Sequence, residues 1–270
     1  MTFVTALAER SVFLVGLILF FAQIAAHEIG YWTGKRSRPR QASPETVGVI
    51  VGGMLALLAF VLALTLSFAN TRFNERRDGS LAEANAIGTA WLRAKAVGTP
   101  RAEEIAGLLE QYAEMRADFV RAGRDQAAIG ALNQRTNALQ SEVWGHLAAI
   151  VRERPDPVSS ALMAALNDMF DASTTERFAY EFRLPPQVFW LLIGMTLLSM
   201  GCLGYQLGLK DRPSRLLIAL LTLMWTSVII CILDLASARL GYIRTGTTVY
   251  EWTIQSFKGG VTAPPLSTRP

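Results

Sequence analysis

The sequence predicts an all-α, polytopic membrane protein with four transmembrane helices and a large helical insert between the second and the third. Three observations predict it: the high share of apolar residues, their clustering into four runs, and the helical spacing of apolar residues between the second and third runs. Of the 270 residues, 51% are hydrophobic and only 18% are charged. This composition is too apolar for an ordinary soluble domain.

Four runs are long enough to cross a bilayer, which requires about 17–25 mostly apolar residues. They are Ser11 to Trp32, Thr46 to Ala69, Pro186 to Leu209 and Pro213 to Leu235. The first run is expected to be retained as a helix, because no site typical of signal-peptide cleavage follows it. The runs therefore predict a multi-pass protein.

The segment from Arg72 to Leu184 is predicted to be a helical extramembrane insert. Its apolar residues recur at steps of three and four, without the alternation of a strand. One such row is Ile105, Leu108, Leu109, Tyr112, Met115 and Phe119. Neither a Pro nor a run of Gly interrupts residues 67–88, so the second span is expected to continue past Arg77 as one rod that couples the insert to the span.

The predicted division has four parts: a first hairpin over residues 1–71, the insert over 72–184, a second hairpin over 185–238, and a tail over 239–270 with a disordered end. The short connections, Gly34 to Glu45 and Leu209 to Arg215, are expected on one side of the membrane, with the insert and both termini opposite. Lys and Arg in these connections favour the cytoplasmic side, although basic residues flanking the long insert weigh the other way.

Large apolar residues form a stripe on the second span. Phe60, Leu64 and Phe68 follow one another at four-residue steps, and each step advances about 400° around a helix. Around a symmetry axis, such a stripe would form a narrow apolar constriction that gates by dewetting. The plainer interpretation is that these side chains face lipid or a neighbouring span. On the same span, small residues are expected to let neighbouring helices approach closely, namely Gly52, Gly53 and Ala56.

Charged residues lie at the ends of the spans. Arg72, Arg76 and Arg77 would ring the mouth of the constriction and attract anions. The alternative is that they extend to lipid headgroups, partly neutralised by nearby acidic residues. Within the spans, Glu28 and Asp234 are expected to form ion pairs with basic residues at their own ends of the membrane.

The exit of the second span resembles a motif of a known family. Its sequence RFNERR, Arg72 to Arg77, is similar to the R-W-W-E-A-R element after the second transmembrane helix of bacterial bestrophins, with Phe73 and Asn74 in place of the tryptophans. Further on, EANAIGTAWLRA (Glu83 to Ala94) resembles the signature of a large bacterial family called bestrophin-like. Three more segments are similar to that family's pattern: ALNDMFD at 165–171, LPPQVFWLL at 184–192 and ILDL at 232–235.

The resemblance to the bestrophin-like family, whose function is unassigned, covers most of residues 28–244, whereas the resemblance to bestrophins themselves is confined to the second span and its exit. The combined resemblance implies the bestrophin-like fold, a place in the bacterial inner membrane, and an oligomeric ion channel that prefers anions. It further implies a homopentamer, with Phe60, Leu64 and Phe68 as the apolar neck, and small inorganic anions and membrane lipids as partners. The acidic calcium-binding cluster of bestrophins has no clear counterpart here, so calcium gating is not implied.

Other functional classes lack support in the sequence. There is no Gly-rich phosphate loop, nucleophile elbow or Cys/His ligand spacing, so no enzyme activity, metal or cofactor is predicted. The net charge of +4 is small and the basic residues adjoin the spans, so nucleic-acid binding is not expected.

Besides the channel, one main alternative remains: a membrane-anchored sensor or scaffold whose helical insert binds a ligand or partner. A non-channel transporter ranks below both, because no broken-helix repeat is visible. Oligomeric state discriminates between the first two, since a pore on a symmetry axis requires a ring.

Overall fold

The computed structural model of the chain describes residues 12–37, 44–181, 185–211, 214–239 and 241–261. Over these ranges the regular elements are helices and none is a strand, which confirms the predicted all-α class. The helices are α1 (Val12–Ser37), α2 (Pro44–Val97), α3 (Pro100–Arg121), α4 (Gln126–Glu153), α5 (Pro157–Glu181), α6 (Pro186–Lys210), α7 (Arg215–Ala236) and α8 (Thr248–Lys258). Parts of the predicted first connection and of the tail, residues 38–43 and 262–270, lie outside the described ranges.

Four helical segments among the described residues are long and apolar enough to cross a membrane, in agreement with the four predicted spans. The second of them belongs to α2, a single helix of 54 residues that continues through Phe68 and Leu81 without a break. A glycine inside a helix costs about 1 kcal/mol relative to alanine. Gly79 nevertheless lies within α2, where the backbone passes close to Glu176 of α5. The prediction of one continuous helix is therefore confirmed.

Helix boundaries in the insert follow local capping chemistry. α2 ends before Gly98, whose positive φ of 67° favours glycine. Thr99 then caps α3 by accepting a hydrogen bond from the Ala102 amide, and Pro100 occupies the first turn. Asp125 caps α4 in the same way, accepting from the amides of the second and third helical residues.

The chain divides into two compact units. One comprises residues 1–73 and 183–244, and therefore includes α1, α6, α7 and the first part of α2. The other comprises residues 74–182 and 245–270, and includes the rest of α2 with α3, α4, α5 and α8. The C-terminal helix α8 thus groups with the insert.

The first unit has an aliphatic core between its helices. Its fully buried residues come from α1, α2, α6 and α7, and include Leu19, Leu58, Leu62, Leu192, Ile229 and Ile232. Close contact between α1 and α6 depends on glycine. A Cβ atom added at Gly30 or Gly34 would overlap the α6 backbone, and one added at Gly204 or Gly208 would overlap the α1 backbone. These residues form two G-x-x-x-G patterns, the spacing that lets parallel helices approach backbone to backbone.

The second unit buries the apolar rows that the sequence indicates. Ile105, Leu109 and Phe119 of α3 are almost fully buried, as are Val143 and Leu147 of α4. On α8, Tyr250 and Phe257 are buried, and the Phe257 ring lies 4.9 Å from that of Trp91 on α2. Burial of one face of each helix supplies the main stabilisation of such a bundle.

Candidate functional sites

The predicted stripe on α2 lies on the surface of the protomer. Phe60 is 60% exposed, Leu64 55% and Phe68 37%, whereas Leu58 and Leu62 on another face of the helix are buried in the core. Of the most apolar 18 residues of this span, 17% are buried, against 33% in each of the other three spans. Among the described spans, α2 thus has the most surface free for lipid or for another subunit.

Exposure falls steadily along the four-residue row that begins at Phe60. After Phe68, Arg72 is half-buried and Arg76 is only 2% exposed. The reason is geometric: each four-residue step overshoots a full turn by about 40°, so four steps rotate the row by about 160°. The row therefore turns from the surface into the protein between Phe60 and Arg76.

The three predicted arginines consequently occupy different environments. The Arg72 guanidinium lies 4.8 Å from the centroid of the Phe68 ring and continues the stripe. Arg76 is directed into the protein, where it interacts electrostatically with Tyr180. Arg77 is exposed but lies about 140° around the helix from Arg72. Of the three, only Arg72 shares the face of the stripe.

The small residues singled out on α2 have open surroundings. Gly52, Gly53 and Ala56 are exposed, and a Cβ added at either glycine would have no neighbour within 4 Å. They do not contribute to helix packing inside the protomer, where Gly30 and Gly204 perform that task. The repeated G-x-x-x-G spacing was the signal in the sequence that would have indicated the packing glycines.

The acidic residues of the spans have different kinds of partner. Glu28 lies 3.7 Å from Arg215 and 4.0 Å from the ring of His27. The Asp234 carboxylate accepts hydrogen bonds from the backbone amides of Tyr242 and Ile243, at 3.0 and 3.2 Å. Glu28 thus lies beside one basic residue, Arg215, while Asp234 fixes the turn that follows α7.

The end of α1 contacts the turn between α6 and α7. Asp211 in that turn accepts a hydrogen bond from the Tyr31 hydroxyl and lies 3.2 Å from the Lys35 ammonium group. Within the first unit, the two short connections therefore begin at the same end of the helices, as the two-hairpin topology requires.

A buried polar contact joins α1 to α7, and sequence reasoning did not anticipate it. The Gln23 amide donates to the Thr226 hydroxyl at 2.9 Å, and both side chains are buried. His27, one turn further along α1, is also buried. Hydrogen bonds of this kind hold transmembrane helices together.

The second unit contains a buried polar cluster that joins five helices, here called the Glu83–Glu176 cluster. Its members are Ser80 and Glu83 of α2, Tyr112 and Arg116 of α3, Gln140 of α4, Glu176 of α5 and Tyr250 of α8. Both carboxylates are 0% exposed, and Arg116 is 1% exposed. A charge buried this deeply persists only with close partners.

Arg116 connects the two carboxylates. Its Nε donates to Glu83 Oε1 and its Nη2 donates to Glu176 Oε2, each at 2.6 Å. On the guanidinium face, the Phe119 ring centroid lies 4.5 Å away. The rigid, forked donor set of arginine suits such bridging and stacking geometry.

Hydroxyl groups fill the remaining positions around the carboxylates. The Tyr250 hydroxyl lies 2.6 Å from Glu83 Oε2 and 2.8 Å from Glu176 Oε1. Ser80 Oγ also hydrogen-bonds Glu176 Oε1. The Tyr112 hydroxyl lies 3.4 Å from Glu83 Oε1 and accepts a hydrogen bond from the Gln140 amide.

The environment shifts the pKa values of the two carboxyl groups in opposite directions. Burial raises the pKa of Glu176 to about 8, and the adjacent Glu83 adds to the rise. Burial opposes ionisation of Glu83 as well, but hydrogen bonds and the Arg116 charge bring the pKa of Glu83 below its ordinary value. Burial also raises the pKa of Tyr250 well above its ordinary value. At neutral pH, Glu83 is therefore ionised, whereas Glu176 and Tyr250 hold their protons.

The sequence carried one signal for this cluster. Arg116 follows Tyr112 by four residues and Leu109 by seven, so it falls on the apolar row of α3, where a charge requires a buried partner. Its partners are 33 and 60 residues away in the chain. In the described part of the chain, no group of three or more His, Cys, Asp or Glu side chains is arranged to hold a metal ion.

Four apolar helices and a helical insert define a polytopic α-helical membrane protein. Residues 19–247 match the Bestrophin-like domain, and the chain therefore belongs to the Bestrophin-like family. Comparison with curated proteins gives no match.

Solved structures support the fold assignment. A bacterial bestrophin homologue from Klebsiella pneumoniae aligns with a TM-score of 0.64 at 13% identity, covering 93% of this chain and 100% of that chain. A tryptophan-to-alanine variant of a bestrophin homologue from the same organism aligns with a TM-score of 0.67 at 12% identity, covering 92% and 98%. At these identities the likeness shows the fold alone, and it confirms the bestrophin-like fold that the sequence predicts.

Proposed function

We propose that this protein is an oligomeric ion channel of the bacterial inner membrane that prefers anions. The single observation that carries the proposal is the exposed row Phe60, Leu64 and Phe68 on the least covered span, which leads directly to Arg72. Membership of the Bestrophin-like family fits an ion channel, and the resemblance to bestrophins favours a pentamer.

The proposed pore is built from α2 of each subunit. Gly53 lies seven residues before Phe60, on the same face, and its open surroundings leave room for a neighbouring helix. The converging rings of Phe60 and Phe68, with Leu64 between them, would form an apolar constriction that excludes water until it widens.

Charge selection is assigned to Arg72. A guanidinium at the end of the stripe raises the local concentration of anions and repels cations. Arg76 is left out of the proposed mouth because it is buried in the protomer, and Arg77 because it lies on another face of α2. Arg77 therefore serves as the comparison position.

The test combines conduction with oligomer structure. Purified protein in planar bilayers is expected to pass chloride in preference to a large cation. Cryo-electron microscopy of the same preparation is expected to show a closed ring with Leu64 facing its axis. A ring whose Leu64 side chains point away from the axis would overturn the proposal. A dimer without a central pore would also overturn it, and would leave the membrane-anchored sensor or scaffold as the leading function.

A further inference from the structure

The hydrogen atoms available to the Glu83–Glu176 cluster are too few for two ionised carboxylates. The Tyr250 hydroxyl has one hydrogen, yet its oxygen lies within 2.8 Å of an oxygen of each carboxylate. It can donate to only one of them. The other short contact requires a proton on that carboxyl group, which then donates to the tyrosine oxygen.

A proton on Glu176 satisfies this geometry. Tyr250 then donates to Glu83 Oε2, the protonated Oε1 of Glu176 donates to the Tyr250 oxygen, and Ser80 Oγ donates to Oε1 of Glu176. Oε2 of Glu176 still accepts from Arg116. The charges of Glu83 and Arg116 cancel, so the cluster is neutral overall. Without that proton, an uncompensated negative charge would lie in the core.

Among the residues that the structure describes, the polar groups that hydrogen-bond the pair include no cation besides Arg116. Tyr112 and Arg116 approach from α3, Tyr250 from α8, and Gln140 reaches the cluster through Tyr112. One turn away, Arg76 of α2 interacts with Tyr180 of α5. Loss of the Glu176 proton therefore leaves two carboxylates with one guanidinium between them.

We propose that Glu83, Glu176 and Tyr250 form a proton-operated latch, in which a proton on Glu176, hydrogen-bonded to Tyr250, holds helix α8 against α2 and α5. When the proton leaves, both carboxylates compete for the single hydrogen of Tyr250, and one contact becomes repulsive. The latch does not depend on conduction, so it stands or falls separately from the proposed channel.

The other contacts of α8 explain why Tyr250 controls how firmly α8 is held against α2 and α5. Phe257 packs on Trp91, and the Thr253 hydroxyl lies 3.4 Å from the carbonyl oxygen of Ala84. The Arg121–Glu251 ion pair is on the surface, where such pairs contribute little. Tyr250 is the residue through which α8 contacts the charged cluster.

Infrared spectroscopy and hydrogen exchange of the full chain in nanodiscs test the proposal together. We expect the carbonyl band of a protonated carboxylic acid at pH 6, and we expect it to disappear with a midpoint near pH 8. Over the same range, amide exchange in residues 248–258 should rise at least severalfold after correction for the intrinsic pH effect on exchange.

The variant Glu176→Gln should lack the titrating band and keep α8 protected at high pH, because an amide reproduces the donor and acceptor of the protonated acid.

Two further variants make the result decisive. Tyr250→Phe should leave α8 exchanging rapidly at every pH, because the shared hydroxyl is gone. Glu251→Gln changes an exposed carboxylate on the same helix and should retain the wild-type pH profile. A wild-type cluster without a protonated-acid band at pH 6 would overturn the proposal. So would α8 exchange that is indifferent to pH, or a pH response that persists in Glu176→Gln.

Discussion

The guanidinium carbon of Arg72 lies 4.8 Å from the centroid of the ring of Phe68, which precedes Arg72 by one helical turn on α2. A cation over an aromatic face is held by the ring quadrupole, at about 0.5–1 kcal/mol on an exposed surface. The contact fixes a positive charge to the last member of the exposed apolar stripe. The stripe and its charge can therefore be tested as one unit.

Reversing the charge of Arg72 is expected to reverse selectivity. In Arg72→Glu, the proposed mouth becomes negative, so cations accumulate and anions are repelled. In a potassium chloride gradient, the reversal potential should move from near the chloride equilibrium potential toward the potassium equilibrium potential. Arg77→Glu makes the same charge change on another face of α2 and should leave the reversal potential nearly unchanged. Equal shifts in the two variants would contradict the assignment of Arg72.

Shortening the middle residue of the stripe is expected to increase current. Leu64→Ala widens and wets the proposed constriction, so single-channel current or open probability should rise. Leu62→Ala is the matched control, because Leu62 is on the same helix but is buried in the core of the first unit. It should cost about 2–5 kcal/mol of stability without raising current. Unchanged current in Leu64→Ala, with an intact protein, would show that the stripe faces lipid.

Two glycines of the first unit should respond in opposite ways to a larger side chain. Gly204→Leu forces α1 and α6 apart, because the added Cβ overlaps the His27 carbonyl, and we expect loss of folded, monodisperse protein. Gly53→Leu meets no atom inside the protomer and should fold with a normal melting temperature. If Gly53 contacts a neighbouring subunit, that variant should yield smaller oligomers. Native mass spectrometry in detergent distinguishes these outcomes, and a wild-type oligomer in Gly53→Leu would exclude this contact.

Removing the buried guanidinium is expected to destabilise the second unit strongly. Arg116→Met leaves two buried carboxyl groups without their cation, and breaking a buried ion pair on one side costs about 3–5 kcal/mol. Arg121→Met removes an exposed arginine from the same helix and should have a small effect. Thermal unfolding in detergent should separate the two variants clearly. Similar melting temperatures would contradict the structural importance of the Glu83–Glu176 cluster.

Stability should decrease as pH rises toward about 8. The pKa of Glu176 is raised from 4.5 to about 8 in the folded protein, so the folded state binds this proton more tightly than the unfolded chain. Its stabilising contribution is complete below about pH 4.5 and is lost as pH rises through the folded pKa. Glu83, whose pKa is lowered, has the opposite dependence and loses its contribution on acidification. Melting temperature measured from pH 5.5 to 9 should fall in the wild type and change much less in Glu176→Gln.

Features that depend on neighbours along the chain were determined by the sequence itself. Uncharged runs such as Thr46 to Leu66 sufficed to predict the spans, because the hydrophobic requirement of a bilayer is local and additive along a helix. The uninterrupted α2 followed from the absence of Pro and the presence of only one Gly, Gly79, between Phe68 and Leu81. The stripe from Phe60 to Phe68 followed from helix geometry alone.

Burial and partners were decided by the tertiary structure. Arg72 and Arg76 look equivalent in the sequence, but the drift of a four-residue row and the position of the core bury only Arg76 almost completely. The G-x-x-x-G spacing marks Gly30 as a candidate packing residue, but the sequence of α1 does not say that α6 is the helix that packs there.

The Glu83–Glu176 cluster shows most plainly why such features lie beyond local reasoning. Glu83 is 167 residues from Tyr250 in the chain, yet their oxygens are 2.6 Å apart. Each residue alone is an ordinary surface type on a helix. The shifted pKa values of the cluster and the proton on Glu176 arise only when packing removes water from all its members at once, because the cost of burying charge depends on the whole set of neighbours.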